Sequence, residues 1–468
     1  MNRIIAATSF GFVVVQLDVM IVNVALPQIG ADLGMGVAGL QWVVDAYTLV
    51  FAVLMISAGV LSDRVGAKRA FLMGLLVFGL ASCACGFAPG AGVLVTARAI
   101  QGTAAAVLIP SSLALLNDAA GQDHRLRAWA VGLWTAAGSV AIASGPVIGG
   151  LLLATLGWRS IFLVNVPICA VGLLFTLRSV PDTHRHQATV HLDLPGQFFA
   201  IVALTGITTA VIEYHPLGLM HRVVLGGLSL GLASGLAFFL IEMRASAPML
   251  PLRFFRLPNF SPAMMFGVLL NLTYYGVIFV LSLYLQQARG YSAIQTGFAY
   301  LPLTATFIVA NIASGRTTGR AGLRIPMLSG ALLGALGFAL LGRLGPGTPY
   351  VSMLPAFILI PAGMGFAIPA ITTAILSSVD RSRSGTAAAV LNAARQTGGA
   401  FGVAIFGSLI GSGPAQIVHG LGISALICTC LLIVSTLLVW VGIHPAPRDF
   451  IGHSEAASPQ AEDVSAAP

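Results

Sequence analysis

Long apolar runs, broken by short polar or Gly/Pro-rich stretches, dominate the chain from end to end. A membrane-crossing helix needs about 20 consecutive apolar residues. Fourteen runs meet that length: residues 4–27, 40–62, 69–88, 93–117, 127–154, 160–178, 196–214, 222–241, 259–286, 294–315, 323–343, 351–376, 386–412 and 421–443. Two polar intervals, "RSVPDTHRHQATVHLDLPG" (178–196) and "IEMRASAPMLPLRFFRLPN" (241–259), bracket the seventh and eighth runs. The last stretch, 445–468, is Ala/Ser/Pro-rich and acidic, a composition expected to be a disordered tail.

The positive charges test this count. With the first residue placed in the cytoplasm, alternating loops assign 17 Lys and Arg residues to the inside and 4 to the outside, while Arg98 and Arg395 fall within runs. That asymmetry is the positive-inside pattern of a fourteen-span protein with both termini cytoplasmic. Dropping one span would scramble it.

Composition narrows the class. Hydrophobic residues make up 57% of the chain and charged residues 8%, against about 25% charged in soluble domains. The chain is an all-α integral membrane protein. Its net charge of +8 sits in scattered loop residues that suit anionic lipid headgroups, so the bilayer, and not nucleic acid, is the expected anionic neighbour. Lys68 is the only lysine and lies outside any GxxxxGK[ST] loop, which excludes a Walker-type ATPase. The five cysteines all lie inside apolar runs. The pairs Cys83/Cys85 and Cys428/Cys430 are two apart on helices, about 200° around the axis, so they read as small apolar filler and not as metal ligands. The first run exceeds the length of a signal-peptide core and ends in no small-residue cleavage site, so it is expected to stay as a span.

An internal repeat organises the runs. "GVLSDRVGAKR" (59–69) follows the second run and "GRTTGRAGLR" (315–324) the tenth. Aligned on Gly66 and Gly322, Gly59 meets Gly315, Arg64 meets Arg320, Lys68 meets Arg324 and Asp63 meets Gly319. The repeat predicts a six-helix half over 1–180, two extra central spans over 181–258, and a second six-helix half over 259–444. Two such halves around a midplane site are a secondary-transporter plan. Asp63 and Arg64 suit contacts that make and break as the halves rock.

The loop 59–69 resembles motif A of the major facilitator superfamily, GxLxDRxGxK/R, at Gly59, Leu61, Asp63, Arg64, Gly66 and Lys68. "LDVMIVNVALP" (17–27) is similar to motif D1 of its fourteen-span drug:proton antiporters, "RAIQG" (98–102) to motif B, and "GLWTAAGSVAIASGPVIGG" (132–150) to motif C. "QWVVDAYTLVFA" and "FRLPNFSPAMMFG" add a finer likeness to methylenomycin-type resistance exporters. The resemblance covers essentially the whole chain. It implies proton coupling through the D1 aspartate and the motif B arginine. It also associates motif C (Gly138, Gly145, Pro146, Gly149 and Gly150) with export by antiport. On the residues alone, that stripe of small side chains lets helices approach closely and Pro146 bends span five.

Asp18, Asp45 and Arg98 all fall in the outer half of the bilayer when depths are counted at about 1.5 Å per residue. Intramembrane charges face a partner or a cavity. A carboxylate poised between low dielectric and a nearby guanidinium is able to take and release a proton. Asp18 is the first candidate carrier, tuned by Arg98 and Asp45; Arg98 reaches one of the two carboxylates, and both acids are expected to line one cleft. Glu213 is read as interfacial, and Asp118 and Asp123 as salt-bridged loop residues. Asn23, Gln101, Asn271, Tyr275, Asn392, Arg395 and Gln396 are the polar candidates for a substrate cavity.

Together these readings predict a fourteen-helix major facilitator fold in the bacterial cytoplasmic membrane, a transporter and not an enzyme. It needs no cofactor or metal, takes protons as the coupling ion, and exports hydrophobic or amphipathic drug-like molecules as a monomer. An exporter of an endogenous siderophore, sugar or amino acid is the alternative within transport. A non-transporting receptor or scaffold is the alternative outside it.

Overall fold

The computed structural model describes residues 1–121, 123–182, 193–245, 248–380, 383–411 and 413–444. The side chains of Asp63, His124 and Ala128 lie outside the description, as do the acidic tail 445–468 and most of the polar interval before the seventh span. Fourteen long helices follow the fourteen apolar runs. They are α1 (Asn2–Leu33), α2 (Val37–Val65), α3 (Ala67–Gly86), α4 (Ala91–Ala120), α5 (His124–Leu156), α6 (Arg159–Ser179) and α7 (Leu194–Leu217). Then come α8 (Arg222–Arg244), α9 (Phe260–Ala288), α10 (Ala293–Ala321), α11 (Arg324–Leu341), α12 (Tyr350–Ser377), α13 (Ser384–Ser408) and α14 (Pro414–Gly442). Among the described residues, 13 of these are long and apolar enough to cross a membrane. The remaining one, α13, is diluted by Asn392, Arg395, Gln396 and its glycines.

Several boundaries differ from the runs for local reasons. Helix α1 continues through Pro27 to Leu33 and ends at Gly34, whose φ of 62° supplies the left-handed cap. Helix α6 is broken at Val164, and α10 at Tyr300. Asp123 is the N-cap of α5, accepting from the backbone N–H groups of Arg125 and Leu126, and so satisfies two of the helix's orphan donors. That replaces the salt-bridged role expected for it; Asp118 is exposed, with no ion pair among the described residues.

The two halves repeat one packing scheme. In the first, α1 packs on α5 and α6, α4 on α2 and α3, and α3 on α6. In the second, α9 packs on α13 and α14, α12 on α10 and α11, and α11 on α14. The halves meet reciprocally, α2 against α13 and α5 against the start of α10. Second helix on fifth helix, twice over, is what a pseudo-twofold axis requires.

Missing side chains set the close approaches. A Cβ on Gly402 would sit 2.1 Å from the Leu272 carbonyl oxygen, and one on Gly102 would sit 2.4 Å from that of Tyr47. Helices α7 and α8 pack chiefly on each other, with Gly206 against the backbone of Gly227 and Gly231. Among the described residues, their strong ties to the halves are those of α7 with α2 and α13. At the distal end of that contact, Trp42 donates to the half-buried Glu213 at 3.1 Å, which ties Glu213 to α2.

The repeated loops match in detail. Gly66 and Gly322 each end the second helix of a half, with φ of 98° and 75°, where a side chain would be strained. The basic residue two positions later then reaches the end of the sixth helix of its half. Lys68 Nζ donates to Asp182 Oδ1 at 3.0 Å, just beyond α6, and Arg324 donates to the Trp440 carbonyl near the end of α14.

Candidate functional site

The deepest polar cluster sits inside the first half, on the face of α1 turned toward α3, α4 and α6. Asp18 is completely buried and Arg98 is 1% exposed. Arg98 Nη1 donates to Asp18 Oδ2 at 2.5 Å and to Gln101 Oε1 at 2.8 Å. Asp18 Oδ1 accepts from Gln101 Nε2 and from Asn165 Nδ2, each at 2.9 Å. Ser82 Oγ accepts from the same two amides and donates to the Phe162 carbonyl at 2.8 Å. Every one of these side chains is buried. A buried ion pair stays bound only when its remaining hydrogen-bonding capacity is met, and here three amide or guanidinium groups converge on one carboxylate.

Arg98 carries the cluster outward. Its Nε donates to the Val43 carbonyl of α2 at 3.0 Å, and its guanidinium lies 4.3 Å from the centre of the Tyr47 ring. A cation over an aromatic face gains further when water is excluded. Tyr47 in turn lines a small cleft between the halves. Gln16, Val19 and Asn23 of α1, with Val44, Tyr47 and Thr48 of α2, form one wall; Tyr275 of α9 and Gln396, Gly399 and Val403 of α13 form the other. The charge cluster and the cleft are therefore adjacent compartments sharing the Tyr47 ring.

This geometry corrects several sequence expectations. Arg98 chooses Asp18, and neither Asp18 nor Asp45 lines the cleft. On α2, Asp45 lies between Gln41, which bonds α13, and Trp42, which bonds α7. There it is fully buried, with no hydrogen-bond partner for either carboxylate oxygen among the described residues. Gln101 belongs to the Asp18 cluster. Asn271 and Asn392 bond carbonyls one turn back on their own helices. Of the cavity candidates, Asn23, Tyr275 and Gln396 do line the cleft. Arg395 flanks it, its stem packing by Gly267. Ser82, Asn165, Tyr47 and Gln16 were not anticipated; Asn165, a lone amide in "IFLVNVPICA", was the available signal.

One end of the bundle is shut. At the end where α1 finishes and α2 begins, Gln41 Nε2 donates to the carbonyls of Val403 and Ala404 at 2.9 and 2.7 Å. Nearby, Ser282 Oγ donates to the Asn23 carbonyl and Gln286 Nε2 to that of Val24. The motif C residues run from mid-span toward the same end. A Cβ on Gly138 or Gly145 would collide with Phe12 or Met20 of α1, and one on Gly149 would press on Ile21. A Cβ on Gly150 would collide with the Ala293 carbonyl of the other half, and the Pro146 carbonyl faces Gly297 there. Helix α5 runs unbroken through Pro146.

At the opposite end, Gly59 of motif A lies beside Pro110 of α4, Arg64 is exposed, and Asp63 lies outside the described side chains. The hydrogen bond and charge of Lys68 hold the exposed Asp182 carboxyl below its ordinary value of 3.8.

Two pseudo-symmetric helical halves enclosing a polar-lined cleft, closed at one end, define a membrane transporter. The chain belongs to the Major Facilitator Superfamily, whose sequence model matches residues 8–403. It is 36% identical over 436 residues to the methylenomycin A resistance protein of Streptomyces coelicolor, covering 93% of this chain and 91% of that protein. It is 36% identical to the puromycin resistance protein pur8 of Streptomyces alboniger (91% and 88% covered). It is 37% identical to the multidrug resistance protein Stp of Mycobacterium tuberculosis (86% and 75% covered). A crystal structure of a POT family transporter in complex with 5-aminolevulinic acid shares the fold, with a TM-score of 0.68 at 13% identity over 93% of this chain and 96% of that one.

Two stability predictions follow from the carboxylates. Asp18→Leu strands Arg98 and should lose about 3–5 kcal/mol. Asp45→Leu removes two unsatisfied oxygens and should be neutral or stabilising by about 1 kcal/mol. Thermal unfolding in detergent ranks the two, and equal losses would contradict the assignment of partners. A third prediction concerns Asp182. Its depressed value means that the Lys68 tether contributes fully above about pH 4 and is lost only as pH falls further. Asp182→Asn should therefore leave the shape of the transport pH profile between about pH 5 and 8 unchanged; a moved midpoint in flux assays would contradict this.

Proposed function

We propose that the protein is a proton-coupled exporter of hydrophobic or amphipathic drug-like molecules, working as a monomer in the bacterial cytoplasmic membrane with both termini cytoplasmic. The relatives named for resistance to methylenomycin, puromycin and multiple drugs support the export of such compounds. The observation that carries the coupling is the buried Asp18–Arg98 cluster sharing the Tyr47 ring with the cleft.

The orientation makes the shut end extracellular, so the structure corresponds to the outside-closed state. Asp18 in its charged form accepts from Arg98, Gln101 and Asn165, while Arg98 grips α2 through Val43 and Tyr47. A proton on Asp18 removes the charge that balances Arg98 and turns one acceptor oxygen into a donor. The guanidinium must then find another arrangement, and the nearest things it holds are the backbone and ring of α2. That helix also carries Gln41, one of the bonds closing the outer end. Proton uptake is thereby linked to outer opening. A substrate against Tyr47 presses on the same element from the cleft. Proton and substrate exchange only if each stabilises a different arrangement of α2 and α13. Asp45, beside the α2–α13 contact and free of any bonded cation, is the second proton-binding candidate. Asp63, Arg64 and Lys68 form the latch at the cytoplasmic end.

Inverted vesicles with an acid lumen test this. Adding a substrate such as methylenomycin A to wild type should release lumenal protons in step with its uptake, and a protonophore should abolish the uptake. Asp18→Asn, which keeps the shape of the side chain, should lose substrate-triggered proton release. Coupled release at the wild-type rate in that variant would sink the coupling role.

A further inference from the structure

The chain has two arginines inside its spans, and the structure treats them oppositely. Arg98 is held by a carboxylate, an amide, a carbonyl and an aromatic face. Arg395 makes no hydrogen bond or ion pair among the described residues, and its Nε is buried without a partner. It sits 11 residues along α13 from Ser384, about 16 Å of helical rise, far too deep for a lipid headgroup to reach. An arginine at that depth is costly unless paired or wetted by a cavity.

No side chain around it offers a counter-charge. Among all residues 259–444 the only acid is Asp380, exposed at the cytoplasmic end beyond α12. Helix α9, which packs most closely on α13, carries no charged residue at all. Helix α2 contributes Asp45, whose oxygens are both unbonded, and α7 contributes Glu213, which is engaged by Trp42. Asp18 is held across the bundle by Arg98. Among the described residues Arg395 is thus a cation without a bonded counter-charge.

Its position gives it a purpose. Arg395 immediately precedes Gln396 and stands one turn before Gly399, both of which line the cleft. Its stem packs beside Gly267, and it lies close enough to Tyr275, another lining residue, for the two to interact electrostatically. Gln16 and Gln396 also face the cleft without side-chain hydrogen bonds among the described residues. The cleft therefore pairs apolar walls (Val19, Val44, Val403) with neutral donors, and beside its lining residue Gln396 stands a guanidinium with no hydrogen bond or ion pair among the described residues.

We propose that Arg395 anchors an anionic group of the transported molecule, so that the cleft selects amphiphilic organic anions, with a carboxylate or sulfonate on Arg395 and an apolar body between α1, α2 and α13. The inference rests on the export reading. A guanidinium matches a planar pair of anionic oxygens through two parallel N–H donors, and an anion there supplies the charge that the protein withholds. Neutral molecules still enter, held by the apolar walls and amides, but gain nothing from Arg395.

Two fluorescent probes of one skeleton separate the cases in inverted vesicles carrying the full chain: anionic anilinonaphthalene sulfonate and uncharged phenylnaphthylamine. Wild type should take up both. Arg395→Gln should slow sulfonate uptake by about tenfold or more, the loss expected for a charge-assisted hydrogen bond, while changing phenylnaphthylamine uptake by less than about twofold. That retained uptake also shows the variant is folded. Arg395→Lys, which keeps the charge but not the paired donors, should restore part of the sulfonate flux. Equal losses for both probes, no loss for the sulfonate, or sulfonate uptake absent from a wild type that moves phenylnaphthylamine would each overturn the proposal. A wild type that moves neither probe, with or without a proton gradient, would overturn the export reading beneath it.

Discussion

A carboxylate and a guanidinium, both stripped of water, hold the first half of this bundle together. Asp18 and Arg98 satisfy each other directly, and the pair is supported by hydrogen bonds from Gln101 and Asn165, whose amides also bond Ser82. Those five residues come from α1, α3, α4 and α6, so one cluster fixes the relative position of four helices. Apolar side chains cannot do this within a bilayer, where lipid is as apolar as the core and association relies on packing and polar bonds. The same dependence makes the cluster sensitive. Changing the charge on one atom alters the balance for every group bonded to it.

The twofold arrangement gives that local sensitivity a route to the contact between the halves. Helix α2 is gripped by Arg98 on one side and bonds α13 of the other half through Gln41. Helix α5 meets α10 reciprocally, with glycines at the contact so that backbones touch. Contacts made of backbone carbonyls and small residues re-form readily after a rigid displacement, because no large side chain must be repacked. The tethers from Lys68 and Arg324 to the ends of α6 and α14 stiffen each half as a unit. Helices α7 and α8 stand largely apart from this machinery and touch it through α2 and α13.

Much of this was legible in the residues. Apolar run length and the distribution of arginines fixed the number of helices, since backbone burial in lipid permits little else. The repeat around Gly66 and Gly322 foretold two equivalent halves, and the matching Lys68 and Arg324 tethers are its structural counterpart. Asp18 stood out as an acid where solvent is absent. What the sequence left open was direction. Counting 1.5 Å per residue placed Asp18, Asp45 and Arg98 at similar depths, yet depth does not say which helix face meets which neighbour. Arg98 and Gln101 share one face of α4 at i and i+3, so they turn to Asp18 together, and Gln101 leaves the cavity for that reason. Asp45, only two residues from Tyr47, points elsewhere because α2 turns about 100° per residue. Ser82 was hidden among cysteines and alanines whose chemistry says nothing by itself.

In the proposed cycle a proton on Asp18 opens the outer end. Spin labels placed at Gly36 and Ala415, exposed positions on opposite halves at that end, report it directly in proteoliposomes. When the outer side is acidified, the distance between the labels should grow in wild type and stay fixed in Asp18→Asn. An Asp18→Asn protein whose labels separate with the same pH dependence as wild type would contradict it.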